Sequence, residues 1–495
     1  MSRGGAVHSV VASSNKKRAA LGLALASFAI PVGAQQMPAG SPLQSTPNPA
    51  PSAPLLPTHT GSPMAIRAAD DPLLSLMKTT APVEVLQRIV IETLARAPEA
   101  AEAEATRDQA DAALGEAKAV RRPTIDVTIT SYKVLSRNFG NNVENIIEES
   151  RPGHRTDQLL TVDQLLMDGG SANARIGAAR ERLAAAETDI VGTQDRIALQ
   201  TLASWYDVFS YRSLVALATA FAASQRELRA MVEERIRRGV SAEADIARVD
   251  SYIASADARL ARFRRLEAQA SARFQSLTGT PPPVGLGRAP FVGQSGISKD
   301  LAVARAVDVP AVRSARSVAE ASRRDAKAAR ADRLPTLSAG IDAGRYGIYE
   351  TPRDYDVRAR VTLRQRVFGG IEQRDQQAAA RARAAEARAD RVSIEAARDA
   401  EIAWSDVQAL EEQRTALEAT YLASRRSRDS IAERFRVASG TLFDVIGAED
   451  SYFETAVGYL QSVTELDASR YVLLSKTGQL LPSLGITDPV QGRPQ

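Results

Sequence analysis

Residues able to make or break bonds are sparse in this 495-residue chain. Its three histidines, His8, His59 and His154, are scattered, and none has a second ligand at metal-binding spacing. There is no cysteine, which excludes disulfides, thiolate metal sites, cysteine catalysis and an N-terminal lipidated cysteine. No Gly-Xaa-Ser-Xaa-Gly elbow, phosphate loop or acidic cluster with metal spacing occurs. The expectation is a protein that is not an enzyme and takes no cofactor. What recurs at regular spacing is charge. Arg358, Arg360 and Arg364 share one face of "YDVRARVTLRQ", opposite Tyr355, Val357, Ala359, Val361 and Leu363. A row of guanidinium groups acts by electrostatics on ions or charged solutes.

That segment is one of four that alternate. In "TIDVTITSY", Ile125, Val127 and Ile129 oppose Thr124, Asp126, Thr128 and Thr130. In "TLSAGIDAG", Leu337, Ala339, Ile341 and Ala343 oppose Ser338, Gly340, Asp342 and Gly344. The weakest, residues 159–166, keeps Leu160, Val162 and Leu166 on one face. Period two over eight to eleven residues predicts half-buried strands, about 123–133, 157–167, 335–346 and 355–368. It fits both an antiparallel sheet on a soluble domain and a transmembrane barrel strand, apolar to lipid and polar to the lumen.

The 63 basic and 59 acidic residues nearly balance, and no basic patch is interleaved with aromatics, so nucleic acid is not an expected partner. At the N-terminus, Lys16-Lys17-Arg18, the apolar run "AALGLALASFAI" and small residues at Val32–Ala34 predict an export signal over 1–34. A Pro/Ser-rich stretch over 35–70 reads as a flexible segment. No later segment is a transmembrane-helix candidate, leaving a soluble, peripheral or β-barrel protein outside the cytoplasm.

The chain is a duplication, 71–290 and 291–485, followed by a tail at 486–495. "AKAVRRPTIDV" is answered by "AKAARADRLPTLSAG", and Gly169-Gly170 by Gly369-Gly370. Trp205 and Trp404, Asp245 and Asp444, and Gly279 and Gly478 are each 199 residues apart. The glycine pairs are 200 apart, so one residue is lost in the second repeat between the corner and the tryptophan. After each glycine pair come 67 residues without proline, 171–237 and 371–437. A continuous helix of that length is roughly 100 Å long. Leu202, Tyr206, Phe209, Leu217, Phe221 and Leu228 fit a heptad grid, and Gly177 and Gly192 allow close packing. Such helices must lie along other helices. Four strands cannot close a transmembrane barrel, whose minimum is about eight, so a barrel reading implies an oligomer.

This organisation resembles the TolC family of outer-membrane channel proteins over residues 83–485. The matching pieces are the Pro-led strands after "RRPTIDV" and "RLPTLSA", the corners "QLLMDGG" and "QRVFGG", and the helical turns "RRGVSAEADI" and "FRVASGTLFDVI". The resemblance implies a homotrimer in the outer membrane of a Gram-negative bacterium: a twelve-stranded β-barrel continuing into an α-helical coiled-coil tunnel in the periplasm. Implied partners are a periplasmic adaptor, an inner-membrane transporter and outer-membrane lipids. The turns at Arg237, Arg238, Gly239 and Val240, and at Arg436, Val437, Ala438, Ser439 and Gly440, correspond to the tips that dock the adaptor. Asp245 and Asp444 correspond to acids of the periplasmic aperture; each also fits a solvated helix residue or an early-turn acid favouring the helix dipole. Gly169, Gly170, Gly369 and Gly370 become the barrel-to-helix corners. Trimerised, Arg358, Arg360 and Arg364 would line the lumen and make an electropositive exit. The second tip departs from the family pattern at Ala438 and Gly447, and the second corner lacks the equivalent of Asp168. The implied function is the exit duct of type I protein secretion. Multidrug efflux is the alternative, and a soluble periplasmic adaptor or scaffold a further one.

Overall fold

Strands and helices alternate along the chain in two rounds. The computed structural model describes residues 55–138, 146–293, 296–350, 353–437 and 439–486. The export signal expected over 1–34, residues 35–54, Ala438 and the tail from 487 lie outside the described residues.

In the first round α1 (Pro72–Lys78), α2 (Val83–Arg96) and α3 (Pro98–Ala119) lead into β1 (Thr124–Lys133). A single turn, α4 (Ile146–Glu149), precedes β2 (His154–Met167). The 67-residue α5 (Ser171–Arg237) and the returning α6 (Ala244–Thr278) follow. The second round has α7 (Lys299–Ala306), α8 (Pro310–Ala331), β3 (Thr336–Arg345) and β4 (Tyr355–Arg364). Then come the 66-residue α9 (Ile371–Arg436), α10 (Leu442–Lys476) and the short α11 (Leu480–Ser483). The matched lengths of α3 and α8, 22 residues each, and of α6 and α10, 35 each, show the duplication in space. The rounds differ most between their strands: residues 134–153 join β1 to β2, whereas 346–354 join β3 to β4.

The strands form one antiparallel sheet in the order β1-β2-β3-β4. Its register collects the alternating residues into rows. Ile125 faces Val162, which faces Ile341 and then Ala359; Val127, Leu160, Ala343 and Val357 form the next row. This face is left open: Ile125 is 67% exposed and Val361 72%. The opposite face carries Asp126, Thr161, Asp342 and Arg358 in one row. A register shift between Leu165 and Met167, at the foot of β2, places a bulge where the sheet gives way to helix.

The helices α3, α5, α8 and α9 continue the strands and lie side by side in the same sequence, while α6 packs back along α5 and α10 along α9. Leu202, Tyr206, Phe209, Leu217, Phe221 and Leu228 are all buried, in one seam of α5. Gly177 is buried against Arg324 of α8, and a Cβ there would stand 2.8 Å from the guanidinium, so any side chain would have to displace Arg324. The largest apolar cluster joins α1, α2, α5, α6, α9, α10 and α11; a smaller one, around Val232, Val249, Phe435 and Ile446, fills the far ends of the long hairpins.

Of the flexible segment expected over 35–70, the described part from residue 55 packs against the helices at a few points. Leu56 and Ile66 are buried, and Leu56 joins the main apolar cluster.

Candidate functional site

No group of three or more His, Cys, Asp or Glu side chains among the described residues could hold a metal ion. No helix among them is long and apolar enough to cross a membrane. The features that bear on function are two corners, two tips, the polar face of the sheet and one buried charge cluster.

All four corner glycines are left-handed: φ is 65° and 89° at Gly169 and Gly170, and 97° and 76° at Gly369 and Gly370. That region is open to glycine at little cost, and here each glycine pair immediately precedes the first turn of a long helix. The first corner is reinforced. The Asp168 carboxylate accepts from the N–H groups of Gly170 (2.9 Å) and Ala172 (2.5 Å), satisfying donors that a helix start leaves unpaired. Leu334 packs on Gly169 so closely that a Cβ would meet it at 2.6 Å. At the second corner Phe368 stands where Asp168 would, 85% exposed, and nothing approaches a Cβ on Gly369 closer than 4.0 Å.

The tips sit together at the far ends of the hairpins. Gly239, with φ 71°, turns α5 toward α6, and its N–H donates to Ile236 O at 2.9 Å. Arg235 reaches across to the second hairpin: it donates to Phe435 O, lies 4.1 Å over the Phe435 ring and donates to Ser241 at 3.1 Å. Arg237, Arg238, Val240, Arg436 and Val437 are exposed around this staple, and so is Phe443. Ser439 and Gly440 close the second turn, the Ser439 N–H donating to Arg434 O at 2.9 Å.

The two candidate aperture acids are not equivalent. Asp444 completes a capping box with Thr441, the hydroxyl donating to its carboxylate at 2.7 Å while the Asp444 N–H returns to the hydroxyl at 3.2 Å. It therefore does the local work of starting α10. Asp245 lies half-buried in the first turn of α6, with no side-chain hydrogen bond or ion pair among the described residues.

On the sheet, Arg358, Arg360 and Arg364 stand on the polar face as the alternation predicts. Two of the three are paired with carboxylates. Arg360 bridges three strands, 2.6 Å from Asp163 on β2 and 3.0 Å from Asp342 on β3, and Arg358 pairs with Asp356. Register places Asp126, Asp157, Asp163, Asp342 and Asp356 on this face with Arg155, Arg358, Arg360 and Arg364. Five carboxylates thus share this face of the strands with four guanidiniums.

The buried cluster is the feature that reading the sequence missed. Tyr421, Arg425, Arg428, Ala432 and Phe435 are all buried along one seam of α9. Arg425 lies 2.6 Å from Asp71, whose carboxylate also accepts from Tyr421 Oη and caps α1 through the N–H groups of Leu73 and Leu74. Arg428 touches Asp429 at 2.6 Å, stands 3.7 Å from Glu449 and lies 4.4 Å over Tyr452. It donates to Pro57 O, the Thr60 N–H donates to Asp429, and His59 Nε2 is 2.7 Å from Glu449. Thus His59, expected to stand alone in a linker, is part of the cluster. Burial raises the Tyr452 phenol to about 12 and lifts that of Tyr421 beyond the range in which it could ionise. The signal was the spacing itself: Tyr421, Arg425, Arg428, Ala432 and Phe435 step by four and three, a heptad seam carrying two arginines. The duplicated tryptophans mark a second pair missed as contacts: Trp205 donates to Gly287 O at 2.9 Å and Trp404 to Ile297 O at 2.8 Å.

Comparison with known proteins places this architecture. The sequence profile of the outer membrane efflux proteins matches residues 89–280. No curated protein matches the sequence. Among solved structures, the outer membrane protein VceC from Vibrio cholerae superposes with a TM-score of 0.71 at 16% identity, covering 80% of this chain and 96% of that one. The Campylobacter jejuni CmeC outer membrane channel gives 0.70 at 16%, covering 80% and 86%. The open state of the Neisseria gonorrhoeae MtrE outer membrane channel gives 0.67 at 17%, covering 80% and 89%. At these identities the likeness is one of fold, and the fold extends over both repeats. Residues 89–280 thus resemble the outer membrane efflux proteins in sequence, and the chain has the fold of these outer membrane channels.

Proposed function

We propose that the chain is one protomer of a trimeric exit duct in the outer membrane of a Gram-negative bacterium, joined at its tips to a periplasmic adaptor and an inner-membrane transporter. The observation that carries this reading is the sheet. Its four strands have one exposed apolar face, a charged opposite face, and two edges, β1 and β4, with no strand beside them among the described residues. Unpaired edges are not viable in lipid, so closure by copies of the chain is required. Two copies would give eight strands, a barrel filled by its own side chains; three give twelve and leave a lumen. Three strands of ten residues and one of fourteen suit a tilted crossing of the bilayer.

At the other end, the exposed Arg237, Arg238, Val240, Arg436 and Val437 supply a mixed basic and apolar surface for the adaptor. Asp245 is the better aperture acid, since Asp444 is occupied in its capping box. We infer protein secretion as the cargo class, supported by the absent lipidation cysteine and the tip sequence "FRVASGTLFDVI". The efflux description of the matching family favours small-molecule export as the second reading.

Two measurements test this. A heat-modifiable trimer that conducts ions in planar bilayers is expected; recovery as a soluble periplasmic monomer would overturn the duct. Deleting the gene should remove specific proteins from the medium. Raised drug susceptibility with an unchanged secreted proteome would replace secretion with efflux.

A further inference from the structure

Where the sheet gives way to helix, the ends of α3 and α5 and the flank of α8 enclose a cleft of about 570 Å³. Its charged lining is wholly basic: Lys118, Arg121, Arg122, Arg180 and Arg324. Around it arginines are consistently neutralised. Arg175 pairs with Asp332 at 2.6 Å, Arg182 with Asp325, and Arg324 with Glu181 and Glu320 at 3.1 Å each. Lys118, Arg122 and Arg180 break that pattern. They are exposed, line one cleft, and have no carboxylate partner among the described residues. Arg121 has only the neutral Asn173 amide, at 2.9 Å.

The position of the cleft says what it faces. Arg122 lies two residues before β1, and Asn173 six after β2. Gln164, in register with Ala339 and Val361 on the apolar face, donates to Arg121 O at 3.0 Å. The cleft therefore abuts the foot of the exposed apolar rows. A ligand fitting both surfaces has a phosphate at one end and acyl chains at the other. We propose that this cleft binds the phosphate headgroup of an anionic phospholipid in the periplasmic leaflet, with its chains against the apolar face above. The inference rests on the outer-membrane reading. Clustered cations at the edge of a hydrocarbon layer attract anionic headgroups additively, and three uncompensated cations suffice for strong preference over a zwitterionic lipid.

The test uses the full-length trimer in nanodiscs or detergent, with native mass spectrometry and phosphatidylglycerol or phosphatidylcholine as probes. The wild type should retain phosphatidylglycerol with a preference on the order of tenfold to a hundredfold. The triple variant Lys118→Ser, Arg122→Ser, Arg180→Ser should lose that preference while still forming a conducting trimer. The charge-preserving variant Lys118→Arg, Arg122→Lys, Arg180→Lys should keep it. Equal retention by wild type and serine variant would overturn the site. Displacement of the lipid by millimolar inorganic phosphate, with phosphate itself bound equally well, would make it a free-anion site. A preference that appears only when Glu372→Gln is introduced would mean that this exposed acid of the adjoining copy fills the cleft instead. Failure of the wild type to insert into any membrane would instead strike at the duct reading.

Discussion

Arg229 and Arg428 occupy the same place in the two repeats, 199 residues apart, as do their acidic neighbours Asp250 and Glu449. Their circumstances are opposite. Arg229 pairs with Asp250 at 2.6 Å and with Glu233 in solvent, whereas Arg428 is 2% exposed beneath residues 57–60. The same division separates Arg226, paired with Asp257 on the surface, from Arg425, buried against Asp71. Duplication made the positions equal, and the N-terminal segment, present once, made them unequal. A surface ion pair became a buried array whose charges must compensate one another, because desolvation would otherwise exceed their attraction.

The largest effect should come from removing one member of that array. Arg428→Met leaves Asp429 and Glu449 short of a cation and should cost about 3–5 kcal/mol. Arg229→Met should leave thermal unfolding almost unmoved. Equal shifts for the two would erase the distinction. Next come the corners. Gly169→Ala places a Cβ into Leu334 on a left-handed backbone and should cost about 2–3 kcal/mol, against about 1 kcal/mol for Gly369→Ala. Adding Leu334→Ala should narrow that gap, and a cycle showing no coupling would refute the packing explanation. At the tips, Asp444→Ala should lose a cap worth about 1 kcal/mol without altering single-channel conductance. Asp245→Ala should do the reverse, raising conductance at nearly constant stability.

The smallest effect concerns Asp195, which burial shifts upward despite the Ser475 hydrogen bond and the nearby Lys476. A carboxyl raised in the fold favours folding below its unfolded value, near 3.9, and that contribution fades as pH rises through the folded value. Asp195→Asn, which keeps the acceptor, should therefore raise the melting temperature by about 1–2 °C at pH 7 and by nothing at pH 3.5. A gain that persisted in acid would point to packing instead of ionisation.

Much of this molecule is written in periodicity. The strands, the two long helices and the corners follow from alternation, heptads and paired glycines, because each repeats a local rule many times. Residues that act once were harder to see. The packing of residues 55–70 depends on a groove assembled by α9 and α10, and composition pointed to linker. The paired state of Arg360 depends on register, since Asp163 becomes its neighbour only when β2, β3 and β4 align. Asp245 and Asp444 matched as repeat positions, yet a threonine three residues earlier gives Asp444 a different task. Arg235 was invisible as a staple because its partner, Phe435, lies on the other hairpin.

The attachment of the N-terminal segment also orders events in time. His59 and Glu449 are 390 positions apart, and Asp71 and Arg425 are 354 apart. No nascent or half-finished chain can make those contacts, and closing so long a loop places them among the last to form. Until then residues 55–70 are a protease-accessible thread; afterwards they are pinned across α9 and α10 by Leu56 and by the bonds of Pro57, His59 and Thr60. Protection of that thread from cleavage is thus a clock for completed folding.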